Sequence, residues 1–171
     1  FQKRLTRPTD LKTNETAGDP EAKCYLPGVP RATYMGFPFQ ILQTPQLIVI
    51  SYEYANATRL IHLGGKPEAP SDSWMGWSIG RWDGDTLVVD VTNQVDRTWF
   101  DRSGNFHSDA VRVVERYTPM MPYHLLYDAT IEDPKVFTRP WKITMPLYRR
   151  IDQNAQVMEF KCVEFAEEFM Y

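Results

Sequence analysis

The sequence predicts an all-β fold, an antiparallel up-and-down meander of about eight or nine strands that closes into a barrel. Three observations predict it. From residue 39 onward, short segments rich in β-branched and aromatic residues are bounded by Gly, Pro, Asn and Asp. Strong turn signals separate them, above all Asp83-Gly84. No segment shows the period of an amphipathic helix of three turns. Closure hides the edges of so large a sheet, and a β-sandwich is the alternative.

The predicted strands follow one another at short intervals, and several of them alternate. In the segment at 123–132, Leu125, Tyr127 and Ala129 share one face, whereas Leu126 and Asp128 share the other. The predicted strands are FQILQT (39–44), QLIVISYEY (46–54), TRLIHL (58–63), GWSIGRW (76–82), DTLVVDVT (85–92), AVRVVERYT (110–118), YHLLYDATIE (123–132), WKITMPLYRR (141–150) and QVMEFKCVEF (156–165).

The two ends of the chain differ from this pattern. Residues 1–38 are polar and turn-rich, then repeatedly interrupted by proline. They predict an extended N-terminal arm that wraps the body and is not an independent domain, so that residues 39–171 form a single β-barrel domain. A short C-terminal helix is predicted over VEFAEEFMY (163–171), since Phe165 and Phe169 are four residues apart.

The composition excludes several classes of protein. The formal net charge of −3 leaves no basic field for nucleic acid. No apolar run reaches the roughly 20 residues of a transmembrane helix. Phosphate and dinucleotide motifs are absent, and the three histidines, His62, His107 and His124, are not at ligand spacing. We therefore expect no cofactor and no metal site.

The two cysteines, Cys24 and Cys162, lie near opposite ends of the chain. They predict either two buried thiols or, preferably, a disulfide that ties the arm to the last strand. The loop-entropy model gives such a bridge roughly 4–5 kcal/mol. Sequons at Asn14 and Asn56 fit an exported chain but also occur by chance, and the start at Phe1 in place of Met indicates either processing, as after removal of a signal peptide, or a shortened chain. We expect a secreted or periplasmic protein.

The stretch RSGNFHSDAVRVVER (102–116) places His107, Ser108 and Asp109 side by side. Successive side chains of a strand point to opposite faces, so His107 and Asp109 share a face and Ser108 leaves it; this excludes a serine-hydrolase triad. An imidazole beside a carboxylate suits acid–base catalysis. The candidate catalytic residues are His107 as base, Asp109 as its orienting partner, and Arg112 or a tyrosine as an oxyanion stabiliser. The structural alternative is an ordinary strand start after a turn.

The long connection NQVDRTWFDRSGNFHSD (93–109) is typical of a binding or lid segment. Its Trp99 and Phe100 predict either a lid over one end of the barrel or a plug that belongs to the core. Other aromatic residues of the middle of the chain predict a lined cavity for an apolar or aromatic ligand. The candidate ligand-binding residues are Tyr52, Trp77, Trp82, Trp99 and Phe100.

From residue 19 onward the chain resembles a group of uncharacterised secreted bacterial proteins. The words that carry the resemblance are DPEAKCYLPGVPR (19–31), WMGWSIGRWDGDTLVVDVT (74–92), DRTWFDRSGNFHSDAVRVVERY (96–117), TIEDPKVFTRPW (130–141) and MEFKCVE (158–164). The resemblance implies export after cleavage of a signal peptide and a variable leader over residues 1–18, and both cysteines lie inside its words. It implies no activity. The predicted barrel is lipocalin-like in architecture only, which carries no function.

Three functions from different classes follow. The first is an exported barrel that binds an apolar or aromatic small ligand. The second is a structural subunit of an extracellular or periplasmic assembly, in which the N-terminal arm adds a strand to a neighbour and mediates self-association. The third is a cofactor-independent lyase, isomerase or hydrolase that uses the His107–Asp109 pair.

Overall fold

The computed structural model describes residues 19–65 and 67–162 of the chain. Helical structure there is limited to one turn of α-helix, α1 (Arg31–Tyr34), and two 3-10 turns, Pro20–Lys23 and Tyr54–Asn56. No described helix is long and apolar enough to cross a membrane. The strands are β1 (Phe39–Gln43), β2 (Leu47–Tyr52), β3 (Thr58–Leu63), β4 (Trp77–Asp83), β5 (Thr86–Thr92), β6 (Arg112–Met121), β7 (His124–Glu132) and β8 (Trp141–Tyr148).

The eight strands form one sheet in sequence order, and the sheet curls into a half-barrel. The predicted all-β class is confirmed. The wholly antiparallel meander is wrong at one pair, because β3 and β4 are parallel, with Ile61 opposite Ser78. A parallel pair needs a long crossover. Residues 64–76 supply it, and Ser73 in this connection forms a bridge with Gln94 just beyond the end of β5.

The predicted closure of the barrel is not confirmed. Within the described residues β1 pairs only with β2 and β8 only with β7, so the sheet remains open. It is also not a two-sheet sandwich, since all eight strands belong to one sheet. The segment that contains α1 packs against the core, with Val29 and Ala32 buried in it.

The ninth predicted strand is wrong over its described part. Residues 156–162 form no strand. They are held by side chains near the β2–β3 connection, where the ring of Phe160 lies 5.4 Å from that of Phe37 and 4.9 Å from that of Tyr54. Asn56 Nδ2 donates a hydrogen bond to the Phe160 carbonyl at 3.3 Å. The rest of this predicted strand and the predicted C-terminal helix (163–171) lie outside the described residues.

The predicted disulfide between Cys24 and Cys162 is confirmed, with a Cα–Cα distance of 5.7 Å. It links the end of the Pro20–Lys23 turn to the C-terminal segment. The described part of the predicted arm, residues 19–38, is not extended throughout, because it contains this turn and α1. Residues 1–18 of the arm lie outside the described residues.

The two ends of the half-barrel are built differently. At the covered end, where β4, β6 and β8 begin, α1, the long connections 93–111 and 133–140 and the segment 156–162 lie over the strand ends. At the hairpin end short turns join three pairs of strands, and the β3–β4 crossover begins there. These turns are 44–46, 83–85 and 122–123, and β8 ends beside them because Arg149 N donates to the Tyr123 carbonyl at 2.9 Å.

Candidate functional site

The concave face of the half-barrel carries polar side chains at its centre. Arg59 of β3 forms an ion pair with Glu115 of β6 through Nη2 and Oε2. Arg59 Nε donates a second hydrogen bond to Ser78 Oγ at 2.8 Å. The side chains of Arg59 and Glu115 are only 1% and 0% exposed, so the sheet buries a full pair of opposite charges.

Tyrosine hydroxyls complete this group, which we name the Arg59 cluster (Tyr52, Arg59, Ser78, Glu115, Tyr117 and Tyr127). Glu115 Oε1 accepts hydrogen bonds from the hydroxyl of Tyr127 at 2.6 Å and from that of Tyr117 at 3.1 Å. The Tyr52 hydroxyl lies 3.3 Å from Thr33 Oγ1 on α1. Both carboxylate oxygens of Glu115 are therefore satisfied, as a buried charge requires.

Burial governs the protonation of the cluster. Burial first, and then the charge of Glu115, hold the pKa of Tyr117 and of Tyr127 well above the usual value. Burial also raises the pKa of Tyr52. The phenols stay protonated, and those of Tyr117 and Tyr127 donate to Glu115, so the tyrosines add no charge to the Arg59–Glu115 ion pair. Arg59 Nη1 has no hydrogen-bond partner in the described part of the chain.

The covered end is closed over the cluster by hydrogen bonds of the N-terminal segment. Arg31 of α1 is buried and donates to Asp19 Oδ1 and Oδ2 at 2.8 and 2.7 Å. The Tyr34 hydroxyl donates to the Phe100 carbonyl at 2.5 Å. The side chain of Gln94 bonds both the backbone N–H and the carbonyl of Val29, at 2.7 and 2.9 Å. The cluster is thereby sealed from solvent at this end.

The hairpin end of the same face is apolar and only partly covered. Ile61 and Leu63 pack directly over Gly80 of β4, because an added Cβ would lie 2.7 Å from Ile61 Cγ2 and 2.8 Å from Leu63 Cδ2. Beyond Gly80 on the same face, Trp82 is 49% exposed. We name this surface the mouth; its lining residues are Leu63, Trp82, Leu125 and Leu147, which are exposed or half-buried, and Leu87 and Tyr117, which are buried.

The structure separates the three predicted catalytic residues. His107 is 1% exposed; its Nε2 lies 2.5 Å from Thr98 Oγ1, and its Nδ1 lies 2.9 Å from the Ser108 carbonyl. A carbonyl only accepts, so Nδ1 carries a hydrogen. The side chain of Asp109 is 63% exposed and forms an ion pair with Lys135 at 2.6 Å. This pairing lowers the pKa of Asp109.

Arg112 lies on a different face from the core. Its guanidinium forms an ion pair with Asp90 at 2.6 Å, and Glu132 lies 3.6 Å away on the same outer face. Ser108, which strand alternation excluded from a catalytic triad, donates hydrogen bonds to Asp133 through its N–H at 2.6 Å and its hydroxyl at 2.8 Å. These side chains therefore stabilise loops and the outer face and share no common reaction centre.

The five predicted ligand-binding aromatics also occupy different places. Tyr52 belongs to the Arg59 cluster and Trp82 to the mouth. Trp77 stacks on His62 with ring centroids 4.4 Å apart, and its Nε1 donates to the Pro67 carbonyl at 2.8 Å. Trp99 and Phe100 are 8% and 4% exposed, and Phe100 packs in the core. The plug interpretation of this pair accords with that burial.

A polar surface cleft of about 320 Å³ lies between the connections 67–76 and 93–111. These connections are joined by the Ser73–Gln94 bridge and by a 2.9 Å hydrogen bond from Asn93 Nδ2 to Asp72 Oδ1. The lining residues are Asp72, Trp74, Val95, Asp96, Arg97 and Asp109. No group of described residues is arranged to hold a metal ion. The cleft lacks the apolar wall that would retain an apolar ligand.

Sequence reasoning missed the Arg59 cluster, although a signal was present. Arg59 shares one face of β3 with Ile61 and Leu63, and Glu115 shares one face of β6 with Val113 and Tyr117. A charged residue on an otherwise apolar face indicates a buried charge that needs an opposite partner. The partners are 56 residues apart in the sequence, and the registers of the β3–β4, β4–β5 and β5–β6 pairs together place them on the same concave face.

The fold and the site together define an open, eight-stranded all-β half-barrel with a sealed polar centre and an apolar mouth. No protein-family profile matches the chain, and no curated protein or solved structure matches it.

Proposed function

We propose that this chain is an exported protein that binds a small apolar or aromatic molecule in the mouth of its half-barrel. One observation carries the proposal. The inner face is buried along the central strands, whereas the apolar side chains of Leu63, Trp82, Leu125 and Leu147 remain partly exposed at the hairpin end, where they continue the half-buried inner face of the edge strand β8. Concave apolar surface of this kind is typical of ligand sites.

The shape and polarity of the mouth limit the ligand. The buried side chains of Leu87 and Tyr117 form its floor, and the Arg59 cluster fills the face beyond them, so the ligand must be small. None of the six lining residues of the mouth is charged, which favours an uncharged ligand body. The exposed ring of Trp82 supports an aromatic stacking contact.

Export is supported by chemistry and by resemblance. The Cys24–Cys162 disulfide is typical of proteins that fold in an oxidising compartment. The resemblance to secreted bacterial proteins points in the same direction. We therefore propose a secreted or periplasmic location.

The other two functions have less support. The described part of the arm lies against its own sheet and is tied there by the disulfide, which leaves residues 19–38 no freedom to join a neighbour. Acid–base catalysis by His107 and Asp109 lacks the required contact, because His107 is buried and Asp109 is exposed beside Lys135.

Binding is tested with a neutral fluorescent naphthylamine, whose emission rises in an apolar site. The wild-type protein should bind the probe, and the bound probe should quench the fluorescence of Trp82. Leu147→Glu places a charge in the mouth and should weaken probe binding by at least about tenfold. The matched control is Leu42→Glu, on exposed β1, which should bind as the wild type does. Equal loss in both variants, or no binding by the wild type, would contradict the proposal.

A further inference from the structure

Exposed apolar side chains are concentrated at the hairpin end. Eleven large hydrophobic residues of the described chain are exposed, and six of them lie around the β4–β5 and β6–β7 hairpins and the end of β8. Their exposed fractions are 49% for Trp82, 60% for Met120, 65% for Met121, 53% for Tyr123, 69% for Tyr148 and 71% for Ile151. We name these six residues the apolar rim. Such clustering is not expected of an ordinary surface, on which exposed apolar residues are scattered.

The rim protrudes. Met120 and Met121 lie beside the Pro122–Tyr123 turn of the β6–β7 hairpin, and Tyr148 and Ile151 lie at or beyond the end of the edge strand β8. Backbone pairing between Arg149 and Tyr123 holds the two groups together. The rim therefore follows turns and strand ends, whereas the core of a protein interface is packed as densely as a protein interior.

The types of residue favour the interface of a lipid bilayer. Tyrosine and tryptophan rings prefer the headgroup level, where one side of the ring is apolar and the other is hydrated. Unbranched methionine side chains adapt to a disordered apolar medium.

The charges beside the rim complement lipid phosphates. Arg149 and Arg150 directly follow Tyr148. Arg150 lies 3.4 Å from Asp152, and Asp83 of the neighbouring hairpin is already paired with Arg116 at 2.9 Å. Arg149 has no ion pair in the described part of the chain, so its charge is available to a phosphate.

We propose that the hairpin end docks on a lipid bilayer surface, with the apolar rim inserted at the headgroup level and Arg149 and Arg150 on phosphates. This docking does not depend on ligand binding in the mouth. It places the mouth against the membrane, so that a lipid-soluble molecule can pass between them without crossing water.

The experiment is co-sedimentation of the full chain with vesicles of pure phosphatidylcholine and of phosphatidylcholine with one-third phosphatidylglycerol. The wild type should partition to both, more strongly to the anionic vesicles, with a blue shift of tryptophan emission that Trp82→Phe removes. Met120→Ser with Met121→Ser should lower the partition coefficient by at least about tenfold. Arg149→Gln with Arg150→Gln should abolish the preference for anionic vesicles.

The matched control is Met158→Ser with Leu60→Ser, because these residues are 60% and 46% exposed but lie away from the hairpin end. It should partition within about twofold of the wild type. Three results would overturn the proposal: no partition of the wild type, equal loss in the control and in the rim variant, or concentration-dependent self-association that the rim variant removes. Naphthylamine binding by the rim variant separates a failure of docking from a failure of the mouth.

Discussion

The covered end and the hairpin end of this half-barrel differ in how their polar groups and apolar side chains are placed. At the covered end, polar backbone and charged side chains are buried and then satisfied one by one, as Gln94 does for Val29 and Arg31 does for Asp19. At the hairpin end, tight turns such as Asp83-Gly84-Asp85 leave little backbone to satisfy, and apolar side chains face outward.

The difference separates stability from surface chemistry. Buried hydrogen-bonded charges are costly to disturb, because the partner left behind has no solvent. Exposed apolar side chains contribute little to the free energy of unfolding and are free to contact a ligand or a bilayer. We expect substitutions at the covered end and in the Arg59 cluster to change stability, and substitutions at the hairpin end to change binding.

The largest effect is expected from Glu115→Gln. The variant keeps an acceptor for the hydroxyls of Tyr117 and Tyr127 but leaves the Arg59 charge buried without its counter-ion. The free energy of unfolding, measured by urea denaturation, should fall by about 3–5 kcal/mol.

Glu132→Gln is the matched control for this variant, because Glu132 also lies near an arginine but its side chain is 42% exposed. It should change the free energy of unfolding by less than about 1 kcal/mol. Addition of Arg59→Met to Glu115→Gln should restore part of the loss. Similar losses in the two single variants would break the distinction between the buried centre and the outer face.

The second effect is removal of the disulfide by Cys24→Ser with Cys162→Ser. The bridge joins residues 138 positions apart, and its loss should lower the free energy of unfolding by roughly 2–5 kcal/mol. Hydrogen exchange should accelerate at Glu53–Ala57, which contact the C-terminal segment, and should stay unchanged at the 83–86 turn. Uniform acceleration would show that the two ends unfold together.

A smaller loss of unfolding free energy is expected for each unit of pH above about pH 10. Because the pKa values of Tyr117 and Tyr127 are raised in the folded state, the folded chain keeps protons that the unfolded chain releases. Their contribution is complete below about pH 10 and is lost as pH rises, by about 1.4 kcal/mol per pH unit for each tyrosine. Urea midpoints between about pH 9 and 12 measure it. Tyr127→Phe should reduce the slope, and an unchanged slope would contradict the assignment.

The fold was predictable as far as local pattern reaches. Alternation along β7 placed Tyr127 and Ala129 on one face, and both are buried. Asp83-Gly84 correctly marked the β4–β5 hairpin. The parallel β3–β4 pair was not predictable, because the segment 64–76 carries turn signals that suit a hairpin as well as a crossover. The candidate site was less predictable still. The adjacent His107, Ser108 and Asp109 predicted a catalytic site, whereas His107 bonds to Thr98 and the backbone.

By itself the sequence determined the all-β class, most strand positions and the pair of cysteines, because each depends on residue type and short spacing. The tertiary structure decided the open half-barrel, the joining of Arg59 to Glu115 and the concentration of exposed apolar residues at one end. These depend on which distant strands become neighbours and on what covers each strand end. Local sequence does not encode that choice, since the entropy of loop closure and the burial of charge are settled only when the whole sheet forms.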